Sequence, residues 1–262
     1  MDAEVLYDVA DHVATITLNR PTRRNAISVP MLAQLSRSLA RADRDPEVRV
    51  VLLTGAGRGF CAGLDLKDAT AGSGIGGRDM RIDRPTTGDL PTVVLQQMDT
   101  PVIGVINGAA AGYGFDLALG CDLRLMASST KLVPAFTRLG VVPESGGTWY
   151  LPRLVGWAKA AEIAYLAEDI PAPRAEQLGL VNRVVPDDDL ARVASEWAAR
   201  IAGNAPLAVS ATKRLFRHGQ TSDFEGHSHH VLLQMLHLMR SSDFREGLAS
   251  AMDRRPPRFT GG

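Results

Sequence analysis

The sequence predicts an α/β protein in which strands alternate with helices along most of the chain and helices alone follow. Apolar, β-branched runs, typical of strands buried on both faces, occur at Val48–Leu53 and Pro101–Ile106, and a further strand is predicted at Val181–Val185. Segments of helical periodicity lie between these runs, as expected for a parallel sheet with crossover helices. From Asn204 onward the pattern is helical throughout. We therefore divide the chain into a core at 1–203 and a C-terminal helical region at 204–262.

The chain begins with a predicted hairpin formed by Val5–Asp8 and Val13–Asn19, whose second strand alternates apolar and polar residues. A helix follows the next loop. Ser28 is a favourable N-cap residue, and Pro30 is tolerated in the first helical turn, so we expect a helix that runs to about Asp43. The strand at 48–53 comes next.

A glycine-rich turn follows this strand. Gly57, Gly59 and Ala62 have the spacing of a dinucleotide-binding fingerprint, but that fingerprint must open an amphipathic helix. Residues 68–90 are instead rich in glycine and polar residues, which predicts either a surface loop or a flap over a pocket. We interpret the turn as a small-residue turn that offers a main-chain N–H at Leu64.

The chain is organised around residues 101–152. A strand ending at Ile106 leads into a turn of small residues at 107–114, and then into a short buried helix at Phe115–Leu119. The N-terminus of a helix carries unpaired N–H groups and a partial positive charge, which can hold an oxygen that gains negative charge. Farther along, a tight turn places the Glu144 carboxylate in apolar surroundings. Together these groups suffice for proton transfer beside a carbonyl.

The other predicted elements are mostly helical. The predicted helices are Thr92–Met98, Trp157–Ala167, Arg174–Leu178, a helix capped by Asp187–Asp189 that runs to Ala202, Pro206–Arg217, Phe224–Arg240 and Phe244–Arg254. We expect the tail RRPPRFTGG to be exposed and frayed.

The composition of the chain argues against several classes of function and partner. With 29 basic and 29 acidic residues, no basic surface is expected and nucleic acid is not a predicted partner. No apolar run is long enough to span a bilayer and no signal peptide is evident, so we expect a soluble, cytoplasmic protein without a membrane partner. Cys61 and Cys121 are expected to be buried free thiols. The histidines at 227, 229, 230 and 237 lack a convincing ligand set, so no metal site is predicted.

Several motifs together resemble the crotonase family, also called the enoyl-CoA hydratase/isomerase superfamily. The motifs are RPTRRNAIS at 20–28, VVLLTGAGRGFCAGLDLK at 50–67, PVIGVINGAAAGYGFDLALGCDLRLMA at 101–127, and GVVPESGGTWYLPRLVG at 140–156. The resemblance is closest to the phenylacetate-pathway isomerase branch. It implies a spiral of repeated ββα turns followed by a C-terminal helical trimerisation region. It also implies an acyl-CoA thioester as substrate, coenzyme A only as part of that substrate and no other cofactor, and a homotrimer or a hexamer built as a dimer of trimers.

The resemblance assigns roles within the site. It implies that the thioester oxygen is held by the main-chain N–H groups of Leu64 and Tyr113, and that Glu144 and Asp116 are the catalytic acids. Phe136 stands where hydratases of the family carry a second glutamate, so their two-glutamate arrangement is broken. Asp116 has a second interpretation as a structural acid within its helix.

Further residues are expected to contact the substrate. Arg24, Lys67 and Arg254 are candidates for the coenzyme A phosphates, with Arg254 reaching from a neighbouring subunit; solvated surface positions are the alternative for each. Tyr113, Phe136 and Trp149 are expected to shape the acyl pocket. Three residues beside Leu64 are also expected to contact the substrate: Ala62, Asp65 and Leu66.

The function expected from these features is isomerisation of an enoyl-CoA, in which a double bond moves by proton transfer through a stabilised enolate. One alternative is an enoyl-CoA hydratase that uses Asp116 and Glu144 as its acid pair. Others are a non-catalytic member that binds acyl-CoA or a protein, and an oxidoreductase, which would require a nicotinamide site.

Overall fold

A computed structural model of the chain describes residues 3–65 and 90–262, and the predicted loop or flap at 68–89 lies outside the described residues. The strands form a 6-stranded and a 4-stranded sheet. The larger sheet consists, in chain order, of β1 (Val5–Ala10), β2 (Val13–Leu18), β3 (Val50–Gly55), β5 (Val102–Ile106), β7 (Leu123–Ala127) and β10 (Arg183–Val185). The smaller sheet consists of β4 (Gly59–Cys61), β6 (Ala109–Ala111), β8 (Lys131–Val133) and β9 (Ile170–Pro171).

Helices surround both sheets. In the described residues they are α1 (Val29–Arg44), α2 (Pro91–Gln97), α3 (Tyr113–Gly120), α4 (Gly147–Val155), α5 (Trp157–Leu166), α6 (Ala172–Gln177), α7 (Leu190–Ala202), α8 (Pro206–Gly219), α9 (Phe224–Leu238) and α10 (Ser242–Asp253). No helix of this part of the chain is both long and apolar enough to cross a membrane.

The connection between the sheets confirms the predicted α/β class. From β3 to β8 the chain enters the larger sheet and the smaller sheet in turn, and neighbouring strands of this stretch pair in parallel within each sheet. Each pair of strands is followed by a crossover, as in a spiral of ββα turns. The ends of successive strands therefore bring their turns close to one another.

The first elements follow the sequence closely. β1 and β2 pair as the predicted antiparallel hairpin, with Asp11 and His12 in the left-handed conformation at its turn. Ser28 caps α1 as expected, because its hydroxyl accepts a hydrogen bond from the Met31 N–H at 3.1 Å. The helix ends at Arg44, within a turn of the predicted end.

Several elements have no clear signal in the sequence. The strands β4, β6 and β8 are each 3 residues long, which is too short to show an alternating pattern. Arg124 lies within β7 and obscures its apolar run. It is nonetheless buried, since its guanidinium donates to main-chain carbonyls, including that of Leu180 at 2.7 Å.

The C-terminal helices are attached to the core by ion pairs and carry exposed apolar side chains. Lys213 of α8 bonds Asp122 at 2.7 Å, and Arg214 bonds Asp99 at 2.7 Å. On the single chain Phe216 is 72% exposed and Phe224 is 85% exposed. Such faces agree with a subunit contact, but the trimer and the division of the chain after residue 203 remain predictions.

Two local predictions are wrong. Asp187–Asp189 precede α7 but make no side-chain capping bond to it; the Asp187 carboxylate instead accepts from the Ser129 main chain at 3.1 Å. The tail is anchored and not frayed. Asp243 is 3% exposed, and its carboxylate accepts from the N–H groups of Thr260 at 2.7 Å and Gly261 at 3.0 Å.

The anchored tail gives a stability prediction. Asp243→Ala leaves two main-chain N–H groups of the tail without an acceptor, so it should lower the free energy of unfolding by about 2 kcal/mol. Urea denaturation measures this change. Asp253→Ala, at an exposed position of the same helix, is the control and should change the free energy of unfolding by less than about 0.5 kcal/mol. Equal losses in the two variants would contradict the role given to Asp243.

Candidate active site

Two glycine-containing turns, one after β4 and one after β6, lie against each other. Gly63 has φ +95°, and a side chain there would come within 3.0 Å of the Ala111 carbonyl oxygen and 3.7 Å of the Tyr113 nitrogen. Gly112 has φ +49° and its own added Cβ would lie 3.9 Å from the Gly63 Cα. Both positions favour glycine, which allows the main chains of the two turns to approach closely.

Each turn presents an unused N–H group. The parallel bridge between Ile27 and Leu64 uses the Gly63 carbonyl and the Asp65 N–H, and leaves out the N–H of Leu64. Tyr113 is the first residue of α3, so its N–H has no acceptor within the helix. Within residues 3–65 and 90–262, neither N–H donates to a protein acceptor. The structure thus brings the two predicted donors onto adjacent turns.

Two asparagines that sequence reasoning missed as site residues hold the turn between β3 and β4, just before the strand that leads into the first of these turns. Asn25 is fully buried, and its side-chain amide donates to the carbonyls of Ala56 at 3.0 Å and Gly59 at 2.7 Å. Asn107 bonds both the N–H and the carbonyl of Gly55, at 3.2 and 2.8 Å. Two features of the sequence could have identified these residues. Asn107 directly follows an apolar strand, and Asn25 lies in a charged loop.

Asp116 connects α3 to the turn that carries Glu144. It is fully buried, and its Oδ2 accepts a hydrogen bond from the Ser145 N–H at 3.0 Å. A side chain on Gly147 would collide with the carboxylate, so glycine is required there. Burial raises the pKa of Asp116 to about 7, although the N–H groups of Ser145 and Gly147 oppose the shift. Its assignment as a catalytic acid remains a prediction.

Glu144 lies at the surface of the single chain. The sequence predicts apolar surroundings for it, but the residue is exposed, as are Val141 and Val142 before it. The cause is that the segment projects from the fold between the 3-10 turn ending at Leu139 and α4. Partial burial still raises the pKa of Glu144, against the opposing effect of its own main-chain N–H.

An apolar groove borders this turn. Its volume is about 270 Å³, and its lining includes Val142, Pro143, Leu151, Trp157 and Tyr165. Trp149, predicted to shape the acyl pocket, does not line it. The Trp149 ring is covered by the guanidinium of Arg153 at 3.3 Å and lines a different cavity, of about 210 Å³, between α4 and α8.

The remaining predicted contacts fall into two groups. Arg24 is exposed, and its carbonyl accepts from the Ala62 N–H at 3.0 Å, so both residues lie beside the first turn. Asp65 is buried and faces the preceding loop, where it pairs with Arg20 at 3.2 Å and Arg23 at 3.8 Å.

The other predicted residues are Phe136, Leu66, Lys67 and Arg254. Phe136 is 4% exposed and packs edge-on against Phe115 of α3, with ring centroids 6.5 Å apart. Leu66 and Lys67 lie outside the described residues. Arg254 follows α10 in the left-handed conformation, and its contact with a neighbouring subunit's ligand remains a prediction.

The Tyr113 side chain, predicted to help shape the acyl pocket, carries a hydroxyl to which the sequence analysis gave no role. It is 5% exposed, and its hydroxyl has no hydrogen-bond partner among the described residues. Burial, followed by the nearby charges of Cys61, Asp116 and Glu144, raises the pKa of this phenol. The hydroxyl therefore stays protonated.

Comparisons with known proteins show the family and the fold of the chain. The sequence matches the family described as enoyl-CoA hydratase/isomerase over residues 8–262. It is 37% identical to the 1,2-epoxyphenylacetyl-CoA isomerase of Escherichia coli K12, with 98% of each chain covered, and 37% identical to a probable enoyl-CoA hydratase of Rhodobacter capsulatus, also with 98% of each covered. The crystal structure of an enoyl-CoA hydratase from Bacillus anthracis superposes with a TM-score of 0.88 at 34% identity, covering 99% of this chain and 100% of that one.

The raised pKa of Asp116 predicts a pH effect on stability. A carboxyl whose pKa rises from 3.8 to about 7 on folding contributes stability that is full below 3.8 and is lost as the pH rises through 7. Asparagine cannot ionise. The free energy of unfolding of Asp116→Asn, relative to the parent, should therefore be more favourable at pH 8 than at pH 5.

Urea denaturation at the two pH values tests this expectation. Asp188→Asn, at an exposed position before α7, is the matched control, because no burial penalty applies there. If Asp116→Asn and the parent lose stability in parallel between pH 5 and pH 8, the Asp116 carboxyl does not titrate as described.

Proposed function

We propose that this chain, which belongs to the enoyl-CoA hydratase/isomerase family, moves a double bond along the acyl group of an enoyl-CoA thioester. The N–H groups of Leu64 and Tyr113 hold the thioester oxygen. Glu144 removes a proton from one carbon and returns it to another. Coenzyme A takes part only as the carrier of the acyl group.

The observation that carries the proposal is the pair of unused N–H groups on adjacent turns. Donors of this kind stabilise an oxygen that becomes negatively charged, and each is worth about 3–4 kcal/mol in comparable sites. A thioester polarised in this way has an acidified neighbouring carbon. The negative charge that develops after proton loss is spread over a dienolate whose oxygen lies between the donors.

Glu144 is the group that supports proton transfer. Partial burial raises its pKa toward the range in which a carboxyl both takes and returns a proton. Its turn is held to α3 by the bond between Asp116 and Ser145. A single base that serves two carbons needs such a fixed position, because it must reach both.

Isomerisation is favoured over hydration by the residue at position 136. Phe136 is buried against Phe115 and offers no carboxyl group to activate or orient a water molecule. The relative from Escherichia coli is named as an isomerase. Both facts support chemistry with one acid–base group.

Hydration is the second candidate, because a specific observation favours it. Asp116 bonds the N–H of Ser145, the residue after Glu144, so the two carboxyl groups lie near each other. Burial, and to a smaller extent the charge of Glu144, raises the pKa of Asp116. In this second candidate function, both carboxyl groups activate the water molecule that adds to the double bond. The relative from Rhodobacter capsulatus is named as a probable hydratase. Loss of 2-enoyl-CoA absorbance on addition of enzyme, measured beside isomerisation of 3-enoyl-CoA, separates the two functions.

Glu144 gives the direct test of the proposed reaction. Glu144→Gln and Glu144→Ala should lower kcat for the isomerisation of 3-enoyl-CoA by about 10²–10⁴-fold, since each removes the group that accepts the proton. Glu168→Gln, an exposed glutamate after α5, is the control and should keep the parent's activity. Full isomerisation by Glu144→Ala would exclude the proposed base.

Arg24 gives a test of the substrate's coenzyme A portion. Arg24 is exposed beside Ala62 and makes no ion pair within the described parts of the chain. If it contacts a phosphate, Arg24→Ala should raise KM for an enoyl-CoA by about tenfold, as expected for the loss of a charged hydrogen bond. The matched substrate is the same enoyl group on pantetheine, which lacks the nucleotide. A similar rise in KM for both substrates would contradict a phosphate contact.

A further inference from the structure

The hydroxyl of Tyr113 is a buried polar group without a partner. The residue is 5% exposed, and among the described residues nothing accepts from or donates to this oxygen. A buried hydroxyl that makes no hydrogen bond costs about 1–3 kcal/mol compared with one that does. Native structures contain few such groups, and a role in ligand binding is one of the recognised reasons for them.

The position of Tyr113 connects its hydroxyl with the candidate active site. The same residue supplies one of the two N–H groups at the start of α3. Asp116 lies one helical turn farther along on the same face, and its carboxylate holds the turn of Glu144. Cys61, Asp116 and Glu144 are the charged or chargeable groups that act on the phenol. The Tyr113 side chain therefore starts from the main chain of the candidate site.

The neighbouring groups do not account for the hydroxyl. The Asp116 Oδ2 is used by the Ser145 N–H, while its Oδ1, like the phenol oxygen, has no hydrogen-bond partner among the described residues. Cys61 is buried, its thiol has its pKa raised to about 12 by burial, and Gly114 packs against its Cβ. The hydroxyl is thus a buried donor that no described side chain uses.

We propose that the Tyr113 hydroxyl forms a polar subsite that donates a hydrogen bond to an oxygen carried by the acyl chain, such as a hydroxyl, carbonyl or epoxide oxygen. The inference rests on the proposed function, because it takes an acyl-CoA thioester as the ligand. The N–H and the hydroxyl of Tyr113 are separated by the length of one side chain. A ligand whose thioester oxygen is held by the N–H would thus present to the hydroxyl an atom several bonds along its acyl chain.

The subsite acts as a donor and not as a base. Burial and the nearby carboxylates keep the phenol protonated, as described above. A saturated hydrocarbon chain would leave the hydroxyl unsatisfied, whereas an oxygen substituent would satisfy it. Ligands with and without this oxygen should therefore differ in affinity. The N–H groups contact only the thioester, so they cannot cause this difference.

The test compares matched ligands in a protein that does not turn them over. Dissociation constants of butyryl-CoA, 3-hydroxybutyryl-CoA and 4-hydroxybutyryl-CoA are measured by calorimetry with Glu144→Gln and with Glu144→Gln/Tyr113→Phe. With Tyr113 present, at least one hydroxylated ligand should bind about 3–10-fold more tightly than butyryl-CoA, and Tyr113→Phe should abolish this preference.

A second tyrosine provides the control. The Tyr7 hydroxyl is also buried without a partner among the described residues, but it lies on β1 beneath Arg41. Tyr7→Phe should leave the ligand preference as it is. Neither phenylalanine variant should lower the unfolding temperature, because neither hydroxyl makes an internal bond; a loss of several degrees for Tyr113→Phe would overturn the proposal.

The outcomes separate this inference from the function on which it rests. If all three thioesters bind and Tyr113→Phe leaves their relative affinities unchanged, the polar subsite is overturned and the proposed function stands. The same holds if neither hydroxylated ligand is preferred by the protein with Tyr113. If no thioester binds to any variant, the proposed function fails and the subsite with it.

Discussion

The hydrogen bond between the Ser145 N–H and Asp116 is the constraint on which the candidate site depends. α3 begins with Tyr113, which supplies one of the proposed donors, and it carries Asp116 one turn later. Ser145 directly follows Glu144. One short helix therefore sets the position of the donor and of the carboxyl group together. Because the residues of α3 from Tyr113 to Leu119 are buried, their relative position is fixed by packing and not by exposed loops.

The second proposed donor, the N–H of Leu64, is held in place by different interactions. The segment that leads to Leu64 is held both by packing and by polar bonds. Phe60 of β4 is fully buried, and Asn25 and Asn107 bond main-chain groups of the turn between β3 and β4. Gly63, in the turn after β4, then lets the main chain approach Ala111. The two halves of the site thus meet through main-chain contact, which explains why their N–H groups do not depend on the identity of the side chains at 64 and 113.

Elements with strong periodicity or capping signals could be predicted from the sequence. Elements that are defined by contacts between distant segments could not. The hairpin, α1 and the buried strands could be predicted, whereas the role of the two N–H groups stays a prediction. The short strands of the smaller sheet could not be predicted, since only their neighbours define them. Asp243 shows the same limit: nothing local indicates that its carboxylate holds the tail, because its partners lie at Thr260 and Gly261. The exposure of Glu144 likewise follows from how its segment leaves the fold.

The different environments of Asp116 and Glu144 indicate which of the two carboxyl groups accepts the proton in the proposed reaction. Asp116 is fully buried, and burial raises its pKa to about 7, while Glu144 is exposed and only partial burial raises its pKa. When two carboxyl groups interact, the one in the more polar environment ionises first. In the proposed function Glu144 is therefore the base, and Asp116 positions its turn through Ser145. A pair divided in this way is suited to carrying one proton between two carbons, whereas addition of water would require both carboxyl groups to face the same molecule. The buried Phe136 is consistent with this division, since the site provides no further acid at that position.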